Sequence, residues 1–279
     1  MIHFARRLGR FIKSMAYVQA WRLLCSLAPG KLGLFTIDKE TGAQVRYPLK
    51  SQVGVSLFLS DFELAELSFV RRHLKPGMVF LDVGANGGIF TVLAGKRLGP
   101  TGRVHAFEPG EAAQVLLRQN IALNELSNVA VYEGAVSNHC GSTKLAVAQD
   151  MALSSLAKTE HPNQSVKEWR EVPVITLDEY VAQKGIQRVH FIKIDVEGAE
   201  KWVFEGADRL LTSTPGLTIL FEAFELNARG FNYSTAEFLE ALLKRGFRLS
   251  CLDETAQLVP ITQLDKRHGT EIYNFVLRT

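Results

Sequence analysis

The sequence predicts an α/β protein with a doubly wound, mostly parallel sheet of seven strands, and three observations lead there. Short apolar runs alternate with amphipathic helical stretches from residue 78 to residue 244. A glycine-rich turn, Gly84-Ala85-Asn86-Gly87-Gly88, follows the first of those runs. The two closing runs, 247–252 and 272–277, have no helical stretch between them. Alternation demands parallel strands, because each crossover has to return the chain through a right-handed connection. A helix-free pair closes as an antiparallel hairpin at the sheet edge.

Each element follows from local pattern. In residues 4–27 the apolar side chains Phe4, Leu8, Phe11, Met15, Val18 and Trp21 recur at helical steps, and Pro29-Gly30 stops the helix. A strand is expected at 43–47. Residues 61–74 read as a helix capped by Ser60 or Asp61 and ended by Lys75-Pro76-Gly77. Strand 78–83, the glycine turn and a helix to 98 come next. Strand 104–107 leads into helix 111–124, and strand 129–132 into an irregular region, 134–170, with an extra strand at 144–147. A helix starts at 177–181. Strand 190–194 with helix 199–211, strand 217–221 with helix 235–244, and the closing pair complete the pattern. No repeat or linker divides the chain, so it reads as a basic amphipathic extension, residues 1–50, ahead of one domain, 51–279.

Composition narrows the functions. Of 279 residues 47% are hydrophobic and 22% charged, enough for a sizeable core without disorder. The net charge of +3 does not argue for nucleic acid, which selects a concentrated basic face. Charge is uneven only near the N-terminus, where Arg6, Arg7, Arg10, Lys13, Arg22 and Lys31 precede the first acid, Asp38. Three scattered cysteines, Cys25, Cys140 and Cys251, indicate neither disulfides nor zinc, so a reducing cytoplasm is the expected compartment. No apolar run reaches the ~20 residues that span a bilayer.

In an open α/β sheet the ligand crevice lies beyond the carboxyl ends of the strands. Gly84 lets the backbone turn there, and Gly88 lets the next helix start against its neighbours. The spacing is not GxGxxG, and Asp82 just before the first glycine disfavours phosphate, which counts against a nicotinamide dehydrogenase. The same acid suits an ammonium group. Glu108, at the end of the second parallel strand, is placed to accept both hydroxyls of a ribose. In FIKIDVEGAE, 191–200, Lys193 lies within a strand buried on both faces and needs a carboxylate to neutralise it. Alternation puts Lys193, Asp195 and Glu197 on one side, Glu200 enters the next helix, and Glu222 ends the neighbouring strand. A purely structural ion-pair cluster is the rival explanation.

The chain resembles the FkbM-type methyltransferase family. The matching stretches are FLDVGANGG at 80–88, HAFEP at 105–109, Ala135-Val136-Ser137 with Gly141, ITLD at 175–178, FIKIDVEGAE at 191–200 running on to Glu205-Gly206-Ala207, and LFE at 220–222. Together they cover a little over half the chain, with Val203-Phe204 where such proteins often carry Val-Leu. The resemblance implies a sheet of the class I methyltransferase type and a domain at 51–279 that transfers methyl groups from S-adenosylmethionine to hydroxyls of sugars, glycolipids or secondary metabolites. It places Asp82, Gly84, Asn86, Gly88, Glu108, Pro109 and Ala135 at the cofactor. Lys193, Asp195, Glu197 and Glu222 are the expected catalytic side chains, the three carboxylates as bases or as oxygen ligands of a divalent cation that is admitted but not expected. His139, His161, His190 and His268 show no partner that would make them bases. RNA ribose methylation and a non-catalytic S-adenosylmethionine-binding module are the alternatives. Nucleic acid is disfavoured, because the domain lacks a basic stripe and a stacking series of aromatics. The oligomeric state stays open. Residues 1–28 either pack on a protein surface or lie peripherally on an anionic membrane.

Overall fold

The computed structural model describes residues 31–279 apart from residue 272. The helix expected at 4–27, its basic residues and the first position of the strand expected at 272–277 lie outside the described residues. A hairpin, β1 (Leu32–Asp38) and β2 (Ala43–Pro48), is followed by α1 (Gln52–Leu59) and α2 (Leu64–His73). β3 (Val79–Val83), α3 (Ile89–Leu98), β4 (Arg103–Phe107), α4 (Glu111–Leu123) and β5 (Val129–Tyr132) wind one half of the main sheet. β6 (Ala135–Val136), β7 (Gly141–Ala148) and β8 (Val166–Ile175) form a separate small sheet, and α5 (Leu177–Gln183) follows. The other half holds β9 (Phe191–Ile194), α6 (Glu200–Glu205), α7 (Asp208–Ser213), β10 (Thr218–Glu222), α8 (Glu225–Arg229) and α9 (Thr235–Lys244). β11 (Arg248–Leu252), β12 (Leu258–Pro260) and β13 (Asn274–Arg278) close it.

The main sheet runs β12-β11-β13-β10-β9-β3-β4-β5. β5, β4, β3, β9 and β10 are parallel, and β13 inserts antiparallel between β10 and β11. All seven expected strands are present, and the three-residue β12 adds an eighth at the edge. Strand alternation splits the core in two. Leu81, Ile192, Ile219 and Phe275 face one layer with Phe204 and Phe238, while Phe80, Phe191, Leu220 and Val276 face another with Phe69 and Phe90. Helices therefore cover both faces, as a parallel sheet requires. Among the described residues no helix is long and apolar enough to cross a membrane.

Four expectations are corrected. The region 134–170 is not irregular, because β7 pairs antiparallel with the long β8. Lys167 to Glu171 of β8 are all exposed, so that strand carries no alternation to read. The single helix expected at 199–211 breaks into α6 and α7 at Gly206, where a Cβ would lie 2.1 Å from the Ser137 carbonyl oxygen. The helix expected from Asp61 starts at Leu64, and Ser60 instead ends α1 in the left-handed region at φ 57°. The strand expected alone at 43–47 is one half of the β1–β2 hairpin, which packs in the second core layer. Ala43, Val45 and Tyr47 are buried, and two asparagines one turn apart on α4 act as a surrogate strand for β2. Asn120 accepts the Arg46 N–H at 2.7 Å and donates to its carbonyl at 3.1 Å, and Asn124 does the same for Gln44 at 3.0 and 2.6 Å. Buried backbone groups need such partners, so the hairpin is held in place.

Candidate active site

The carboxyl ends of β3, β4, β9 and β10 open into one cleft with a cavity volume of about 160 Å³. The turn after β3 divides it. Gly84 sits at φ 81°, and a Cβ there would lie 1.8 Å from the Asp195 carbonyl oxygen, so only glycine fits between β3 and β9. Asn86 is left-handed at φ 49°, which asparagine tolerates, and its Oδ1 accepts the Gly87 N–H at 2.7 Å.

On one side of the turn stands Glu108, buried just past β4. Its Oε2 accepts the Asn86 N–H and its Oε1 the Gly110 N–H, each at 2.7 Å. Burial pushes this carboxyl up to about 7 against the pull of those two donors. Each oxygen keeps a lone pair for a hydroxyl of a ligand. Pro109 and Ala135 line the same wall.

On the other side runs a charged row. Asp82 and Lys193 are cross-strand partners on β3 and β9, so both point to the face covered by α2 and α3. The Lys193 Nζ donates to Asp195 Oδ2 at 2.9 Å and lies 4.8 Å from the centre of the Phe90 ring. Burial opposes its charge, but Asp195, Glu63 and Asp82 outweigh that and hold the ammonium protonated. Glu197 lies past the strand at φ 54° and accepts from Asn227 Nδ2 at 2.8 Å. Glu222 ends β10, beside β9, and its carboxyl has no hydrogen-bond partner among the described residues. Burial first, then the charge of Asp195, raises both Glu197 and Glu222 well above the ordinary carboxylate range.

Nine of the eleven expected residues share this cleft: Gly84, Asn86, Glu108, Pro109, Ala135, Lys193, Asp195, Glu197 and Glu222. Asp82 and Gly88 do not reach its wall. Asp82 is fully buried, accepts the Thr91 hydroxyl and lies beside Lys193, behind the cleft wall. Gly88, at φ 88°, starts α3, where a Cβ would lie 2.5 Å from the Leu117 side chain. Glu200 is also behind the wall. It accepts the N–H groups of Val196 and Gly198 at 3.1 and 3.2 Å, shaping the loop that carries Glu197. None of the four histidines lines the cleft, and His190 Nδ1 accepts the Val79 N–H at the opposite end of the sheet. Among the described residues no three His, Cys, Asp or Glu side chains form a group suited to a metal ion.

Sequence reasoning missed Tyr47, Val53, Phe62, Glu63, Met151, Ala152 and the stretch 154–156, all on the wall. They come from β2, α1, the approach to α2 and the β7–β8 connection, none of which carries a motif. An acid just before a helix, as at Glu63, reads only as helix-dipole compensation.

A family profile described as "Methyltransferase FkbM domain" matches residues 82–249. The chain belongs to the FkbM methyltransferase family. This FkbM-type methyltransferase is 29% identical over 204 residues to "31-O-demethyl-FK506 methyltransferase FkbM" of Streptomyces tacrolimicus, covering 62% of this chain and 75% of that protein. It is 28% identical over 152 residues to "2-O-methyltransferase NoeI" of Sinorhizobium fredii, covering 50% of this chain and 61% of that protein, less than two thirds of its length. Among solved structures, methyltransferase FkbM from Methylobacillus flagellatus KT aligns over 93% of this chain and 58% of that one, at 14% identity and a TM-score of 0.46.

Proposed function

We propose that the protein transfers a methyl group from S-adenosylmethionine to a hydroxyl of a sugar, glycolipid or secondary metabolite. One observation carries this reading: a single cleft holds Glu108 on one side of the Gly84 turn and Asp195 with Glu222 on the other. Glu108, tied by two N–H donors yet with lone pairs left over, suits the two hydroxyls of a ribose. The backbone of Gly84 to Asn86 takes the amino-acid end, with Pro109 and Ala135 beside the base. The names of both relatives refer to methyl groups on oxygen.

Bound in this way, the donor supplies an electrophilic methyl on a sulfonium. The chain's own task is to align the acceptor oxygen behind that carbon and to take the proton the oxygen loses. Asp195 is the first candidate for that proton. Lys193 occupies its Oδ2, holding the carboxylate in one orientation with Oδ1 left over for the acceptor. Glu222 is the alternative holder of the role. Asp195→Asn keeps the shape and removes the charge, so turnover should fall by a factor of ~10²–10⁴ with the fold intact. If Asp195→Asn turns over normally while Glu222→Gln does not, the base lies one strand over. A chelator should leave the activity unchanged, and loss restored by magnesium would replace the base with a metal ion.

A further inference from the structure

The charges lining the cleft are lopsided. Glu63, Glu108, Asp195, Glu197 and Glu222 face it against one lysine, Lys193, among the described residues. Three of those acids are already engaged: Glu108 by two backbone N–H groups, Asp195 by Lys193, and Glu197 by Asn227. Glu63 and Glu222 have neither a side-chain hydrogen bond nor an ion pair among the described residues. Both line the cavity while partly exposed, so their carboxyls are open to a ligand that is not protein. They also approach from different elements. Glu222 ends β10, and Glu63 precedes α2 from above the same sheet face. The charge of each reaches Lys193 or Asp195, so both overlook the end of the cleft assigned to the acceptor.

Resting on the methyltransferase reading, we propose that Glu63 and Glu222 form an acceptor-selecting pair that admits neutral or cationic polyhydroxy compounds and rejects anionic ones. As acids they donate to and accept from hydroxyls, and as carboxylates they accept from hydroxyls or an ammonium. Burial pushes Glu63 up to about 8, with Lys193 pulling the other way, and burial together with the charge of Asp195 raises Glu222 above the ordinary carboxylate range. A phosphate or carboxylate in the same place would add a negative charge to a wall of five acids whose one lysine is already paired with Asp195. That electrostatic sign also separates a saccharide acceptor from a nucleic-acid ribose. Phe62 and Val53, next to Glu63 on the wall, offer apolar surface to the carbon skeleton.

The test uses the full chain saturated with S-adenosylhomocysteine, whose affinity is measured first by calorimetry. Saturation-transfer NMR then compares glucose, glucosamine and glucuronate, three probes of one skeleton. Glucose and glucosamine should bind and glucuronate should bind at least ~10-fold more weakly. Glu63→Ala should weaken glucose by ~10-fold or more, the loss expected of a hydrogen-bonding partner, with the affinity for S-adenosylhomocysteine unchanged. The isosteric Glu63→Gln and Glu222→Gln should restore most of the glucose binding, which separates lost contact from lost fold. Glucuronate binding as well as glucose, binding of none of the three, or indifference of glucose to Glu63→Ala overturns the pair. Failure of the wild type to bind S-adenosylhomocysteine overturns the methyltransferase reading itself.

Discussion

Replacing Glu108 with Gln tests the donor side of the cleft most directly. The wild-type carboxylate receives the Asn86 and Gly110 N–H groups at 2.7 Å, one on each oxygen. A glutamine offers one oxygen and one NH₂, so one of those donors faces another donor. The two ribose hydroxyls meanwhile lose a charged acceptor. Charged hydrogen bonds are stronger than neutral ones by about 1 kcal/mol each, so two of them amount to about 2 kcal/mol, or a dissociation constant about 30-fold higher. pH supplies a second signature. Because burial raises this carboxyl to about 7, wild-type donor affinity should tighten as pH rises through 7, while the Gln variant stays flat. Stability moves the opposite way. A carboxyl raised on folding contributes fully below its ordinary value, and that contribution is lost as pH rises through about 7, so the donor-free wild type should melt lower at pH 8 than at pH 5. Calorimetric titration with S-adenosylmethionine at pH 6 and pH 8 reads both affinities. Equal affinity and equal pH slopes in the two proteins would refute the assignment of Glu108 to the ribose.

Asn120→Ala should cost about 2–4 kcal/mol in urea unfolding, because it strips partners from the Arg46 N–H and carbonyl and from the Gly87 carbonyl, all near the cleft; a loss under ~1 kcal/mol would mean that water replaces the amide. Gly84→Ala should abolish donor binding or folding, since its Cβ would collide with the Asp195 backbone, and normal calorimetry of that variant would show that β3 and β9 separate freely. A chain starting at Lys31 should keep donor binding, because every side chain assigned to the donor comes later. One starting at Ser51 should lose it, because Tyr47 leaves the wall and Asn120 and Asn124 lose their strand; donor binding by that shorter chain would support a domain that starts at residue 51.

The sequence by itself determined the parallel half of the sheet and most of the cleft. In β3 and β9 every residue but Val79 is buried, so the strands are written as apolar runs, and the polar exceptions, Asp82 and Lys193, stand out against them. The ends of those strands sit at one sheet edge by topology alone, which is why Glu108, Asp195 and Glu222 could be grouped without coordinates. Tertiary structure decided three further points. It placed Asp82 behind the cleft wall, bonded to Thr91, because direction across a buried strand depends on which helix covers it. It exposed β8, whose surface residues follow no apolar alternation because only its last residues face a core. And it brought Glu63 to the cleft from a left-handed residue at φ 38°, before α2 and outside every motif. Nothing local in the chain marks that position, since the charges that reach it, Lys193 and Asp195, lie more than a hundred residues away and come near only when α2 packs over the sheet.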